Sequence, residues 1–295
     1  MEARALKIEK VSIVVPAYNE EEAIIADLEI IKRAMAESRW DYEIIVVNDG
    51  STDATESRVL SVEGVRLINH ASNRGGGFAR NTGIKASSGD VVVVTDGDGT
   101  YPNYEIPRML EMMEERDLDM LVGARRREAG TMKVLRTPTK WFIRRLAMFM
   151  SGFNIPDLNS GLRAMKREVV LEFMPMLPWG HSWVSTITLA MLSSGYEVEF
   201  TDIDYYHRKG SSTFHPIKDT YGYLTLVIRT VTWFNPLKVF MPLIFLLGII
   251  AVTKVVIDMV NHPFYLTANT VILVMTFIQV LVLGLLADLI AKRHR

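Results

Sequence analysis

The sequence predicts an α/β domain on a mostly parallel sheet, followed by a membrane hairpin, and three observations predict it. Short, largely apolar runs (Val11–Val15, Glu43–Val47, Val65–Ile68, Val91–Val94) alternate with stretches of helical spacing, the order that builds a parallel sheet with right-handed crossovers. Three of those runs end in polar turns, at Pro16–Glu20, at Asp49 and at Asp96 with Asp98, and open sheets of this kind bind ligands at the carboxyl ends of their strands. Beyond about Trp233 the chain changes character and becomes two long apolar runs.

Taken in order, Val11–Val15 reads as a short buried strand followed by Pro16-Ala17-Tyr18-Asn19-Glu20. Glu21 to Met35 carries apolar residues at helical spacing, Ile24, Leu28, Ile31 and Met35, and is expected to be a helix. The Glu43–Val47 strand leads into Asn48-Asp49-Gly50-Ser51-Thr52-Asp53, where Ser51 or Thr52 is expected to cap the next helix. After the Val65–Ile68 strand, Asn73–Gly77 is a loop that opens a helix running through Ala86, and Gly89-Asp90 leads into Val91–Val94. Consecutive valines fit a central strand covered on both faces. Asp96 and Asp98 follow at i and i+2, positions that point the same way in extended backbone, so both carboxylates are expected to face one ligand. Gly97 and Gly99 let the backbone turn and approach it. Each turn alone is ordinary turn chemistry; three together, each behind a buried strand, indicate a site.

The turn after the first strand lacks the glycine-rich dinucleotide fingerprint, and no Walker A sequence occurs. A carboxylate pair can handle phosphate only through a metal, and hard oxygen ligands suit Mg2+ or Mn2+. The expectation is therefore that Asp96 and Asp98, with a divalent cation, hold the diphosphate of a nucleotide-sugar. A formal net charge of -1 over 295 residues argues against nucleic acid as a partner. The absence of cysteine excludes disulfides, thiolate metal sites and a cysteine nucleophile. Met1–Lys10 has no apolar core, so no cleaved secretory signal is expected there.

In the second half, Val239 to Thr253 contains no charge and the run continues to Ile257 past Lys254, while Val271 to Ala287 is interrupted mainly by Gln279. A bilayer core of ~30 Å needs roughly 20 helical residues, which predicts spans at about 238–259 and 266–288 joined by a turn at Asn261, His262 and Pro263. Lys218, Arg229 and Lys238 precede the first span and Lys292, Arg293 and Arg295 follow the second, whereas the turn has no Lys or Arg. The positive-inside rule then places both termini and the N-terminal domain in the cytoplasm. Lys254 and Asp258, at i and i+4, are expected to snorkel near the span's end or to neutralise each other. Between Gly123 and Arg145 lie Arg125, Arg126, Arg127, Lys133, Arg136, Lys140, Arg144 and Arg145 with only Glu128 opposing, and Trp141, Phe142, Leu146, Met148 and Phe149 accompany the last of them. This stretch, like Tyr221–Phe234, reads as an amphipathic interfacial helix that meets membrane lipids.

The segments Ile13–Glu21, Val46–Asp53, Asn73–Gly77 and Asp96-Gly97-Asp98 resemble family 2 glycosyltransferases of the GT-A fold over roughly the first 215 residues. The resemblance implies a Rossmann-like sheet whose first two segments cradle nucleobase and ribose, which implicates Pro16, Ala17, Tyr18, Glu20 and Asp49. It implies that Asp96 and Asp98 contact ribose and diphosphate and hold the metal. Asn159–Lys166 and His207–Ser212, followed by a membrane hairpin, are similar to polyprenyl-phosphate glycosyltransferases such as dolichyl-phosphate mannose and glucose synthases. That similarity implies transfer of one sugar, with inversion, from a UDP- or GDP-linked donor to a polyprenyl or dolichyl phosphate at the cytoplasmic face of the cell membrane. It implicates Arg125, Arg136 and Arg208, and more weakly Ser211, as contacts of the acceptor phosphate. The implied layout is a GT-A domain over 1–215, an interfacial helix over 216–235 and a two-span hairpin over 236–295, compatible with a homo-oligomer.

Mannose synthases of this group commonly read Asp-Ala-Asp-Leu-Gln where this chain has Asp96-Gly-Asp-Gly-Thr100, so the Gln contact is expected to be absent or to fall to Thr100; Gly76 likewise replaces the usual residue between the loop glycines. A processive synthase would need Gln-x-x-Arg-Trp, but Gln279 is the chain's one glutamine. His181 lies where processive relatives place an acidic base and is expected to line the acceptor cleft or cap a helix. A non-catalytic scaffold would have an eroded acidic motif, and here it is intact.

Overall fold

The computed structural model describes residues 6–126, 148, 152, 154–180, 182–207, 232 and 236–293. The strands are β1 (Lys10–Ala17), β2 (Asp41–Asn48), β3 (Val65–Asn69), β4 (Val91–Val94), β5 (Met120–Arg125), β6 (Arg163–Lys166) and β7 (Val198–Ile203). Among the described residues they form one sheet in the order β3-β2-β1-β4-β6-β5-β7. The helices are α1 (Ile24–Ala36), α2 (Thr55–Leu60), α3 (Gly76–Ala86), α4 (Ile106–Glu115), α5 (Arg167–Phe173), α6 (Trp183–Ser194), α7 (Pro236–Asn261) and α8 (Ala268–Arg293).

β1, β2, β3 and β4 pair in parallel, as the alternating order requires. The valines of β4 are all buried: Val91 and Val93 join the core under α1 and α4, and Val92 and Val94 join the core under α3 and α6. β6 is the exception, antiparallel to both β4 and β5. β5 ends at the carboxyl edge, and the next described strand starts from that edge, so it must run back down; Gly123 N–H donates to Leu162 O at 3.0 Å as it enters. Parallel pairing resumes between β5 and β7.

Two local expectations change. Neither Ser51 nor Thr52 caps α2, which starts only at Thr55. Asp53 Oδ1 accepts from Thr55 N–H at 3.0 Å instead, and Ser51 and Thr52 turn to Asn19: Ser51 Oγ accepts from Asn19 N–H at 3.0 Å, and Thr52 N–H donates to Asn19 Oδ1 at 2.8 Å. The first strand extends to Ala17, so Pro16 and Ala17 are paired with Val47 and Asn48 rather than lying beyond the sheet.

α7 and α8 are long and apolar enough to cross a membrane, with mean hydropathy 2.5 and 2.6. They form a hairpin in which Gly284 lies against Phe240 and Ile244, and Gly248 against Phe277. Asp258 is buried at its closed end, where its Oδ2 accepts from Thr267 N–H at 2.9 Å and from the hydroxyls of Thr267 and Thr270 at 2.8 and 2.6 Å. This carboxylate of α7 therefore satisfies groups at the start of α8, with Lys254 Nζ 3.5 Å away. The neutralising pair that the i, i+4 spacing allows is therefore present, and Asp258 has in addition a fixed role in the turn. At the open end, Val239 packs against Ile155, Leu158, Leu189 and Leu192 of the N-terminal domain. The amphipathic stretch expected between Gly123 and Arg145 begins as strand, because Gly123–Arg125 end β5; residues 127–145 lie outside the described residues, as does Tyr221–Phe234 with Thr232 excepted.

Candidate active site

The loops after β1 and β2 are laced together by short polar contacts. Glu20 N–H donates to Thr55 Oγ1 at 2.9 Å, Glu21 N–H donates to Asp53 Oδ2 at 3.2 Å, and Ala54 N–H donates to Glu21 Oε2 at 2.9 Å. Glu20 O accepts from Ala23 and Ile24 N–H and so starts α1. Tyr18 is left exposed on this edge, while Ala17 and Glu20 are buried.

Asp49 is almost wholly buried and acts as an anchor. Its carboxylate accepts from Arg74 N–H at 3.1 Å and Gly75 N–H at 2.8 Å, and lies 2.6 Å from His70 Nδ1. It thereby holds the Asn73–Gly77 loop at the carboxyl edge. Gly75 is required there: its φ is +96°, and a Cβ would come within 2.8 Å of the Trp179 carbonyl oxygen. The guanidinium of Arg74 stacks 3.5 Å from the Phe78 ring centroid and 5.4 Å from that of Trp179.

The acidic loop departs from the extended form expected of it. β4 ends at Val94 and the chain bends through 97–99, so the two aspartates take different partners. Asp96, partly exposed, accepts from Arg80 Nη2 at 2.7 Å. A Cβ on Gly161 would sit 2.6 Å from Asp96 Oδ2, so the Ser160–Gly161 backbone closes directly over it. Asp98 is buried, and its Oδ1 accepts from Thr100 N–H at 3.2 Å and Thr100 Oγ1 at 2.5 Å. Thr100 is itself buried. It orients Asp98 and does not stand in for a ligand-facing glutamine.

Behind the loop lies a residue the sequence reading passed over. Asp27 of α1 is 2% exposed; its Oδ2 accepts from Gly99 N–H at 2.7 Å and its Oδ1 from Asn103 Nδ2 at 3.1 Å. Gly99 has φ +76°, the left-handed turn that aims this N–H inward. Burial, aided by the charges of Asp98 and Asp96, raises the Asp27 pKa to about 6 against the hydrogen bonds from Gly99 and Asn103. Below the ordinary value of 3.8 the group is neutral folded or unfolded; between 3.8 and about 6 only the unfolded chain ionises, so stability falls as pH rises. Without added divalent cation, the stability of the wild type relative to Asp27→Asn should drop by about 2 kcal/mol between pH 4 and pH 6.5 and level off above that. Unfolding curves across this range check it, and a difference independent of pH would contradict the burial of an ionisable Asp27.

Arg125, at the end of β5, meets Asp157 bidentately, Nε at 2.6 Å and Nη2 at 3.0 Å, and lies 5.0 Å from the Tyr205 ring centroid. Burial raises the Asp157 pKa, but hydrogen bonding and charge from Arg125 outweigh it and hold the carboxyl below its usual range. Tyr101, packed edge-to-face with Tyr205, presents its hydroxyl to the same wall: its oxygen accepts from Gly161 N–H at 2.6 Å. Arg163 is fully buried and ties Ser160 O to α6 through Val184 O and Thr188 Oγ1. The Asn159–Lys166 motif therefore shapes the wall over Asp96.

Of the sequence-derived candidates, Pro16, Ala17, Tyr18, Glu20, Asp49, Asp96 and Asp98 all lie at the carboxyl edge, on the turns after β1, β2 and β4 or the strand ends that lead into them. Arg125 lies at the end of β5 on the same edge. Arg136, Arg208, Ser211 and His181 lie outside the described residues. Arg80, Asp157 and Asp27 were missed. Only Asp27 carried a signal, because it falls on the same helical stripe as Ile24, Leu28 and Ile31. Among the described residues no group of three or more His, Cys, Asp or Glu is placed to hold a metal ion.

Residues 12–173 match the family model described as glycosyl transferase family 2, and residues 235–292 match the one described as the GtrB C-terminal hairpin. The dodecaprenyl-phosphate galacturonate synthase of Rhizobium johnstonii is 24% identical over a match covering 97% of this chain and 88% of its own length. The dolichyl-phosphate hexose transferase of Haloferax volcanii is 32% identical, covering 70% of this chain and 86% of its own. Among solved structures, the glucosyl-3-phosphoglycerate synthase of Mycobacterium tuberculosis, in complex with Mn2+, UDP-glucose and phosphoglyceric acid, superposes with a TM-score of 0.58 at 20% identity, covering 76% of this chain and 80% of that one. At that identity the likeness is one of fold.

Proposed function

The chain belongs to glycosyl transferase family 2, and from that premise we propose that it transfers one sugar from a nucleotide-diphosphate sugar to a polyprenyl phosphate at the cytoplasmic face of a membrane. The observation that carries this reading is that a relative named for a polyprenyl-phosphate acceptor is matched across 97% of the chain, hairpin included. The layout supports it: a carboxyl edge with paired carboxylates on one domain, and a hairpin of two apolar helices, the first of which meets that domain through Val239.

The donor set of the acidic loop fits a divalent cation. Asp96 and Asp98 offer hard oxygens, each oriented by a neighbour, Arg80 for one and Thr100 for the other. Two carboxylates leave positions for phosphate oxygens and water, the usual arrangement for Mg2+ or Mn2+. A cation held there would offset the negative charge that builds on the departing nucleotide diphosphate. Pro16, Ala17, Tyr18, Glu20 and Asp49 frame the nucleoside, with Asp49 acting through the Asn73–Gly77 loop that it anchors.

A phosphate monoester has its second pKa near 6, so the acceptor is a dianion near neutral pH and needs positioning more than a general base. Arg125, whose guanidinium plane Asp157 fixes, with Arg136, Arg208 and Ser211, supplies cationic and polar contacts to it. In-line attack then inverts the anomeric carbon, and an α-linked donor gives a β-linked lipid-phosphate sugar. Basic residues flank the hairpin and are absent from its turn, which supports a reading with the domain and both termini on the cytoplasmic side.

The test uses the full chain in lipid, with radiolabelled UDP-glucose, UDP-N-acetylglucosamine or GDP-mannose in turn, and Mg2+ or Mn2+. Label is expected to enter the lipid fraction with one donor when a polyprenyl phosphate is supplied, and not with the unphosphorylated polyprenol. Equal labelling of the free alcohol, or no lipid product with any donor from folded protein, would overturn the reading.

A further inference from the structure

The bend that carries Asp96 and Asp98 is tied at both ends to a single buried polar chain. Upstream of it, Thr95 Oγ1 donates to Asn103 Oδ1 at 2.7 Å. Asn103 Nδ2 donates to Asp27 Oδ1 at 3.1 Å, and Asp27 Oδ2 accepts from Gly99 N–H at 2.7 Å. Thr95 and Asn103 have no exposed surface. The four groups close a ring around the acidic pair, and its one member from outside the loop is Asp27 of α1.

Asp27 is a poor choice for stability alone. It occupies the apolar stripe of α1 together with Ile24, Leu28 and Ile31, where a carboxylate is costly to bury. A place in the first turn of a helix favours negative charge, but the donors it meets are not α1's own amides. Both belong to the segment that follows the aspartates.

We propose that Asp27 is a positioning residue, which through Gly99 and Asn103 fixes the direction of the Asp96 and Asp98 carboxylates for a divalent cation and nucleotide diphosphate. The inference rests on the metal-holding role proposed above for that pair, and it assigns a function to a helix that carries none of the expected ligands.

The hydrogen-bond directions give the test. Exchanging the two residue types, Asp27→Asn with Asn103→Asp, preserves every donor and acceptor. In the exchanged protein the side-chain amide at position 27 would accept from Gly99 N–H and donate to the carboxylate at position 103, whose second oxygen would accept from Thr95. Asn103→Asp alone sets two carboxylates face to face, and Asp27→Asn alone takes the charged acceptor from Gly99 N–H and meets a second amide donor unless the Asn103 amide turns over toward the Thr95 hydroxyl. The four proteins (wild type, D27N, N103D and D27N/N103D) are compared as full chains in detergent. Mn2+ affinity is read from the free-ion EPR signal with UDP and separately with GDP, alongside the donor KM and kcat.

Each single variant should bind Mn2+ at least about tenfold more weakly, and the exchange should recover affinity to within about threefold of wild type, with unfolding midpoints confirming that all four are folded. Unchanged Mn2+ affinity in both single variants overturns the proposal, as does an exchange no better than the weaker single, or a wild type that binds Mn2+ with neither nucleotide. If the wild type binds Mn2+ with one nucleotide and shows the single-variant loss and its recovery, yet moves no sugar to a polyprenyl phosphate, the positioning role stands and the acceptor assignment falls.

Discussion

Asp98→Asn is expected to lower kcat/KM for sugar transfer by about 10³-fold. A cation held by the acidic pair would supply several kcal/mol of transition-state charge stabilisation, and each 1.36 kcal/mol is a factor of ten. The substitution is nearly isosteric, and its amide oxygen can still accept from Thr100 N–H and Oγ1. The loop should therefore keep its shape, and unfolding should be little changed while Mn2+ affinity falls with activity. Asp96→Asn adds a second fault, because it also removes the charge that Arg80 faces from its largely buried position. Initial rates over a range of donor and Mn2+ concentrations check both. An Asp98→Asn protein with activity within tenfold of wild type would remove the aspartate from the chemistry.

The second large effect is on stability. Asp157→Ala should destabilise the N-terminal domain by about 3–5 kcal/mol, the range for leaving one partner of a buried ion pair uncompensated. Both side chains are nearly buried, at 12% and 13% exposure, and Asp157 also receives Arg125 N–H at 3.2 Å and Asn159 N–H at 3.0 Å. Because the Asp157 pKa is lowered in the fold, the pair's contribution is present above the ordinary carboxylate range and is lost as pH falls through the folded value. Denaturant unfolding of both proteins at neutral and acid pH measures this, and a loss below about 1 kcal/mol at neutral pH would show that Arg125 finds another partner. Acceptor KM should rise in the same variant, since the guanidinium loses the group that sets its plane.

The donor edge was legible because its signals are local. Unbroken valines mark β4, and turn residues behind three apolar runs mark the ligand edge wherever the chain goes next. The antiparallel β6 was not legible: Arg163–Lys166 is four residues long with a cation at each end, and its direction follows from where the preceding segment returns. The α2 cap was misplaced because Asp53, two residues before Thr55, competes for the same amide, and because Ser51 and Thr52 are drawn to Asn19 across the loop.

The site's supporting contacts are tertiary and leave little trace in sequence. Arg80 meets Asp96 only because α3 packs beside the end of β4, and Arg125 meets Asp157 across 32 residues. Asp27 is the instructive case. A helical-spacing reading keeps the apolar members of the stripe and discards the one charged residue that shares it. A carboxylate in register with Ile24, Leu28 and Ile31 was the sign that this helix serves the site as well as the core.

Addition of a single sugar to a lipid monophosphate leaves a product of defined mass. Mass spectrometry of the lipid fraction after reaction, with the full chain, its preferred nucleotide-sugar, Mn2+ and a defined polyprenyl phosphate, tests it most directly. One new species is expected, heavier than the polyprenyl phosphate by one sugar residue, joined through the phosphate and, from an α-linked donor, β at the anomeric carbon. A lipid diphosphate sugar, a ladder of added sugars, or an acceptor of unchanged mass would contradict it.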